Sequence, residues 1–290
     1  MADYIIITDS CADLPLSLYQ ELDIQVVPLS FLLEGKTYQN HPDQSSMKFS
    51  EVYAKLRSGS NISTSAVNVE EFRNAFLPYL QAGKDILYLG FSTGLSGTCS
   101  AGTIAAQELL EEFPDRTIMV VDTLCAALGQ GLLVYYTAKK RAEGATLAEA
   151  AAYAEDLKPR LVHWFTVDDL FFLKRGGRLS GATALVGSAL GIKPVLHVDD
   201  EGHLVKVSTV RGRKNSLKEL AKKMAETAID PKEQTIFIGH GDCLEDAQFL
   251  ADCIKDTCGY KDVVIDYVGP VIGAHSGPGT IALFYIGTHR

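Results

Sequence analysis

Short apolar runs alternate along the chain with stretches whose apolar residues recur every three or four positions. A run of four to eight apolar residues reads as a buried strand, and the longer period reads as a helix packed on one face. The first run, "YIIIT" at 4–8, is uninterrupted, as a strand covered on both faces would be. A turn follows it, and a helix opens near Leu14–Pro15. "IQVVPLSFLL" at 24–33 reads as a second strand, with Pro28 marking an edge or a bulge because proline cannot donate to a ladder. Helical patterns then cover roughly Ser46–Arg57 and Val69–Gln81. "DILYLGF" and "TIMVVD" read as strands, with "TCSAGTIAAQELLEEF" between them as a helix. A long helical region broken near Gly144 completes this half. The alternation predicts one parallel, doubly wound sheet over residues 1–158.

The pattern changes at Lys158–Pro159. "RLVHWFTV" is a strand, and the glycine-rich "KRGGRLS" leads into a small-residue helix through Ala189. "KPVLHVDDEGHLVKVST" reads as a hairpin turning at Asp199–Gly202. Helices near Lys214–Thr227 and Leu244–Lys255 surround the strand "TIFIGH". "DVVIDYV" then leads into "GPVIGAHSGPGTIALFY" at 269–285, where glycines and prolines frame His275 in a loop before the last core strand. Residues 159–290 are therefore expected to form a second domain, a mixed sheet with helices. The fold class is α/β with two domains, which suits 290 residues.

Charge and cysteine content narrow the function classes. A net charge of -9 argues against general nucleic-acid binding, which relies on neutralising phosphates with Lys and Arg. It also argues against wholesale adsorption to an anionic membrane. The six cysteines form no C-x-x-C, and they fit idle thiols in a reducing cytosol better than disulfides or a zinc site. "MADYIIITDS" places an acid before a four-residue apolar run and is not a signal peptide. The prolines and glycines of the C-terminal stretch break it well before a spanning helix could form. A cytoplasmic location is expected.

In a doubly wound sheet, ligands sit beyond the carboxyl ends of the strands. Those ends carry hydroxyl side chains in "TDS" at 8–10, "STS" at 63–65 and "STGLSGT" at 92–98. The last runs from a strand into a helix, whose first N–H groups attract an anion, and Gly94 and Gly97 would let a ligand approach the main chain. The same hydroxyls also serve as ordinary helix caps. No P-loop and no G-x-G-x-x-G occurs, and the strand-end loops of the first half carry no Lys or Arg. Neutral donors of this kind match a single carboxylate. Gly94-Leu95-Ser96-Gly97-Thr98 misses the nucleophile elbow G-x-S-x-G by one place, so a Ser96/His275 hydrolase with Asp9 or Asp122 remains an alternative. The seven histidines show no H-x-x-x-H or H-E-x-x-H spacing, and no metal or cofactor is expected. Basic residues cluster at Lys174–Arg178 and Arg211–Lys214, facing solvent, a phosphate donor or an acidic partner surface.

Taken together, seven strings resemble the DegV family in that family's order: "TDSCADLP", "STSAVN", "STGLSGTC", "VDTLCAALGQG", "LKRGGRLSG", "LGIKPVL" and "GAHSGPGT". Members are similar to the fatty acid-binding subunit of bacterial fatty acid kinase, with two α/β domains related to the dihydroxyacetone kinase substrate domain. The resemblance implies a carrier without catalytic machinery of its own, which encloses a long-chain fatty acid between its domains. A partner kinase subunit would convert the acid with ATP to an acyl phosphate for phospholipid synthesis. An acyltransferase and a transient membrane contact are the further partners implied, and a dihydroxyacetone kinase-like phosphotransfer domain is the other enzymatic alternative. The head-group residues implied are Thr64 and Ser65, Ser96 with the main-chain N–H of Gly97, and His275 with Ser276. The partner-facing residues implied are Arg175, Arg178 and Arg211. Ala66–Val67 stand where the family usually has Gln-Pro, which alters the polar contacts around the head group. Burying a CH₂ is worth about 0.8 kcal/mol, so the methylenes of a C16 chain would gain roughly 11 kcal/mol before ordering costs. A carboxylate buried without donors would cancel much of that gain.

Overall fold

The computed structural model describes residues 4–179 and 191–290. The small-residue helix expected through Ala189 lies outside the described residues. The first sheet is parallel, with β2 (Ile24–Val27), β1 (Tyr4–Asp9), β6 (Asp85–Gly90) and β7 (Ile118–Asp122) side by side in that order. Every residue of β1 is buried, because helices cover both faces of the sheet. Ile5 and Ile7 point to one side, into a core with Phe72 and Phe76 of α3 (Val69–Gln81) and Leu109 of α4 (Thr98–Glu112). Tyr4 and Ile6 point to the other, toward α5 (Leu128–Ala142) and α6 (Leu147–Leu157). α3 and α6 both open with a capping box, Asn68/Glu71 and Thr146/Glu149, which fixes where each helix starts.

Pro28 does more than mark an edge. It ends β2, and the chain leaves the parallel sheet to form β3 (Ser30–Leu33) in a separate antiparallel sheet, ordered β4 (Lys36–Gln39), β3, β5 (Ile62–Ser65). The single strand expected over 24–33 is thus two strands in two sheets, because proline cannot donate the ladder bond that would continue the first. α2 (Phe49–Arg57) covers the small sheet through Val52, Tyr53 and Leu56.

The second sheet is mixed, ordered β10 (Leu204–Arg211), β9 (Ile192–Val198), β8 (Leu161–Thr166), β13 (Ile281–Ile286), β11 (Thr235–His240), β12 (Asp262–Tyr267). Only β11 and β12 run parallel; each other neighbouring pair is antiparallel. The hairpin β9–β10 turns at Asp199–Gly202, as the sequence pattern predicts. α8 (Arg213–Thr227) and α9 (Leu244–Thr257) cover one face, and α5 packs on the other. That position explains why α5 buries nearly all of its first ten residues: it lies between the parallel and the mixed sheet, and one core runs through it from Ile6 to Phe284. Two short helices complete the description, α1 (Leu16–Glu21) after β1 and α7 (Phe171–Arg175) after β8.

The expected loop around His275 is instead helix α10, Pro270–Ser276, with proline at its first turn and His275 in its last. Glycines in and just after it pack closely against protein. A Cβ at Gly273 would stand 2.5 Å from the Tyr53 hydroxyl, and one at Gly277 (φ +82) 2.6 Å from the Phe172 ring. Among the described residues, no helix is long and apolar enough to cross a membrane.

Candidate functional site

Three chain segments meet at one end of an internal cavity. The end of β5 brings Thr64 and Ser65, the turn between β6 and α4 brings Ser96 and Gly97, and the last turn of α10 brings His275 and Ser276. All six residues expected at the head group line this cavity. Thr64 Oγ1 lies 2.8 Å from His275 Nε2, which joins residues 211 positions apart. Ser96 Oγ is within hydrogen-bond distance of Thr98 Oγ1 (2.9 Å) and accepts from the Thr98 N–H (3.3 Å). Helix α4 begins at Gly97 without a side-chain cap on that residue, so its N-terminal dipole faces the opening. Ser276 is 5% exposed and its hydroxyl has no partner within the described residues. A buried hydroxyl of this kind is costly unless something in the cavity accepts from it.

The two glycines of "STGLSGT" divide in role. A Cβ at Gly94 would stand 2.9 Å from Glu201 O, so the hairpin turn fills the space that sequence reasoning reserved for a ligand. Ser92 reinforces that junction by donating to Gly202 O at 2.9 Å. Gly97 is different: it is exposed at the cavity mouth, and a Cβ there would meet nothing within 4 Å. "TDS" proves to be internal scaffolding. Thr8 donates to Leu89 O, Asp9 accepts from Cys11 N and Phe91 N, and Ser10 Oγ accepts from Leu29 N.

The basic turn 174–178 also divides. Arg175 is exposed, with its guanidinium over the rings of Phe171 and Phe172. Arg178, expected on a partner-facing surface, is half-buried and lines the cavity, where its Nε donates to Leu95 O at 3.3 Å. The second half of the chain therefore supplies the positive charge that the strand-end loops of the first half lack. Arg211 is exposed at the end of β10, away from the cavity lining, whereas Arg213 is tied to Asp246 at 2.8 Å.

His275 sits in a tight niche, since a Cβ at Gly176 would stand 2.3 Å from its Nδ1. Burial, with the charges of Arg178 and Arg175 adding to it, pushes its pKa down to about 4, so the imidazole is neutral at pH 7. With the hydrogen on Nε2, the ring donates to Thr64 Oγ1 and leaves the threonine hydroxyl hydrogen free for a ligand. The imidazole then acts through Thr64. The lowered pKa also fixes a pH dependence. An unfolded histidine titrates near 6.5, so this one stabilises the fold fully above about pH 6.5 and progressively less down to about 4. His163, His197 and His240 are lowered too, so the clean measurement is a difference between proteins. His275→Gln should lose less melting temperature than the parent between pH 7 and 4. Parallel melting curves for the two proteins across that range would refute the assignment.

Away from this polar end the lining turns apolar, with Phe91, Phe165, Leu173, Val198, Leu204 and Phe284 among its members. The centre of a water-sized sphere can move through about 190 Å³, and the empty space is about 1010 Å³ with the mouth included. That is the size of a pocket for a small organic ligand. Two wall features escaped sequence reasoning. His163, buried on β8, accepts at Nε2 from Ala126 N at 3.4 Å. Arg290 donates to Leu124 O (2.6 Å), Lys158 O (2.7 Å) and Thr123 O (3.3 Å), holding the loop that carries Ala126 and Ala127. No spacing in the chain announces either contact. Arg178 had a partial signal, a basic residue in a glycine-rich turn, but its direction depends on packing.

A serine hydrolase arrangement is not assembled. His275 is hydrogen-bonded to Thr64 and to no carboxylate among the described residues. Asp9 is engaged by Tyr88, Phe91, Cys11 and Gln130, and Asp122 accepts from Thr93 N and Leu124 N.

Comparison with known proteins supplies the relationship. The family described as "Uncharacterised protein, DegV family" matches residues 4–288. A DegV domain-containing protein of Clostridium perfringens is 47% identical over 287 residues, covering 99% of this chain and 98% of that one. The structure described as "Fatty Acid Binding of a DegV family Protein from Thermus thermophilus" superposes with a TM-score of 0.87 at 32% identity, covering 98% of this chain and 99% of that one. A fatty acid binding DegV family protein from Streptococcus agalactiae superposes with a TM-score of 0.85 at 28% identity over the full length of both chains. This chain belongs to the DegV family.

Proposed function

We propose that this protein binds a long-chain fatty acid, with its tail in the apolar part of the cavity and its carboxylate at the polar end. The observation that carries this reading is the cavity's composition: a mostly apolar lining that also holds Thr64, Ser96, Ser276 and Arg178, with the Ser276 hydroxyl lacking a partner among the described residues. Hydroxyls, the Gly97 N–H and one guanidinium would bind a single carboxylate, with His275 aligning Thr64 and Ser65 beside it. The fatty acid-binding relatives from Thermus thermophilus and Streptococcus agalactiae support the same ligand class.

The ligand would lie between the proposed domains, 1–158 and 159–290, and the protein would act as a carrier rather than an enzyme. Among the described residues Ser96 is hydrogen-bonded to Thr98 and His275 to Thr64, so the Ser–His–carboxylate chain of a nucleophilic catalyst is not formed. Arg175 and Arg211, both exposed, are the proposed contacts for an ATP-dependent kinase subunit. That partner would convert the bound acid to an acyl phosphate for phospholipid synthesis in the cytoplasm, and exclusion of water by the cavity would protect the product from hydrolysis. Mass spectrometry of a solvent extract from the purified protein should reveal a stoichiometric long-chain fatty acid. The delipidated protein should rebind one equivalent of palmitate or oleate. A protein that carries no fatty acid and binds neither after delipidation would overturn the proposal.

A further inference from the structure

A second, much smaller cavity lies between the turn that follows β1 and the end of β12. Its polar lining is Ser10, Asp13, Tyr19, Asn40, Gln44 and Asp266, and it contains no Lys, Arg or His. The centre of a water-sized sphere has about 20 Å³ there, enough for one small body. Two polar atoms at this place are buried and unpartnered within the described residues, Asp13 Oδ2 and the Tyr19 hydroxyl. Tyr19 is only 4% exposed. Asp13 as a residue keeps some exposure, but its Oδ2 is shut off from solvent. Its other oxygen, Oδ1, lies against the entry of α10, where a Cβ at Gly269 would stand 2.4 Å from it. Asp266 is half-buried, and its Oδ1 accepts from Tyr267 N at 2.7 Å. Asn40 Nδ2 donates to Ser10 O at 3.3 Å, which leaves its Oδ1 available.

Two carboxylates that share a small cavity with no Lys, Arg or His among its described lining residues are unfavourable. A proton or a cation would relieve this. A single proton would neutralise one carboxylate and leave the other charged. A cation would use both carboxylates and the neutral oxygens together.

We propose that this cavity is a binding site for a single hard cation, held by Asp13 and Asp266 with neutral oxygens of Tyr19, Asn40 and Gln44 around it. Oxygen-only donors select hard cations, and the small volume favours Ca²⁺, which sheds water more readily than Mg²⁺. The cation would join the β1–α1 turn to the start of α10, the helix that carries His275 and Ser276 to the other cavity. The site is separate from the lipid cavity, so the proposal stands without that reading.

The test uses the full chain, delipidated and treated with a chelator. Ca²⁺ titration by calorimetry should give one site, and saturating Ca²⁺ should raise the melting temperature by several degrees. Tb³⁺, a Ca²⁺ probe, should show luminescence on tyrosine excitation that Ca²⁺ displaces. Asp266→Asn, at the more exposed carboxylate, should weaken Ca²⁺ binding at least tenfold, and Asp13→Asn should do so where it folds. Ca²⁺ affinity unchanged in Asp266→Asn would overturn the proposal. So would a melting temperature indifferent to Ca²⁺, Mg²⁺ and Na⁺ but raised by acid in the parent and not in Asp266→Asn, the signature of a shared proton alone.

Discussion

Binding of a long-chain fatty acid should weaken by about 10- to 100-fold in His275→Ala, while the melting temperature at pH 7 moves by only a few degrees. Hydrogen bonds to a charged group contribute about 1.5–3 kcal/mol, and each 1.4 kcal/mol is tenfold in affinity. His275 is bonded to Thr64 Oγ1, so its removal unlocks the hydroxyl proposed to face the carboxylate. The stability cost is small because the imidazole is only partly buried and has no other protein partner among the described residues. Ser96→Ala should produce a smaller loss of affinity, since Ser96 Oγ already accepts from Thr98 N and shares a hydrogen with Thr98 Oγ1. With a competent kinase, acyl-phosphate formation should fall in both variants more than folding does. Displacement of a fluorescent fatty acid, read beside thermal unfolding, separates the two effects. Parent-like affinity in both variants would remove His275 and Ser96 from the head-group site.

The largest effect on stability is expected from Asp9→Ala. Asp9 is wholly buried at the end of β1 and accepts from Phe91 N (2.9 Å), Tyr88 Oη (3.0 Å), Cys11 N (3.1 Å) and Gln130 Nε2 (3.2 Å). It thereby ties together β1, β6, the following turn and α5. Truncation strands several buried donors, each costing about 1–3 kcal/mol when unpaired, for a total on the order of 3–5 kcal/mol after relaxation. For a chain of this size that lowers the melting temperature by roughly 10 °C. Asp9→Asn keeps one acceptor oxygen and the side-chain volume, and should lose about half as much. Calorimetric unfolding of the three proteins provides the measurement. A shift below about 2 °C for Asp9→Ala would mean that water replaces the carboxylate and that the network is not a tie.

How far the residues reveal the site depends on whether a property is local or long-range. Strand and helix positions follow from short-range periodicity, and the bounds of α3 follow from Asn68 and Glu71 at its start. Pro28 is visible in the sequence, but its outcome is not. Whether the chain bulges or leaves for another sheet depends on β5, where Ser65 pairs with Ser30 and Ile62 with Leu33 of β3. The six head-group positions were named largely through resemblance to a family, because hydroxyls at strand ends serve capping and binding alike. Gly94 and Gly97 look equivalent in the chain, yet a hairpin turn from residues 201–202 occupies the space beside one and leaves the other open.

The order of apolar and polar residues by itself determined the alternating strands and helices and the hairpin at 199–202. Each of these is set within a few residues, by backbone geometry and side-chain period. The tertiary structure alone decided that His275 ends a helix, that its imidazole is neutral, and that Arg178 turns inward while Arg175 stays in solvent. A titration and a side-chain direction depend on which distant segments exclude water and supply charge. Residues 64, 96, 178 and 275 line one cavity only when segments from distant parts of the chain have packed together.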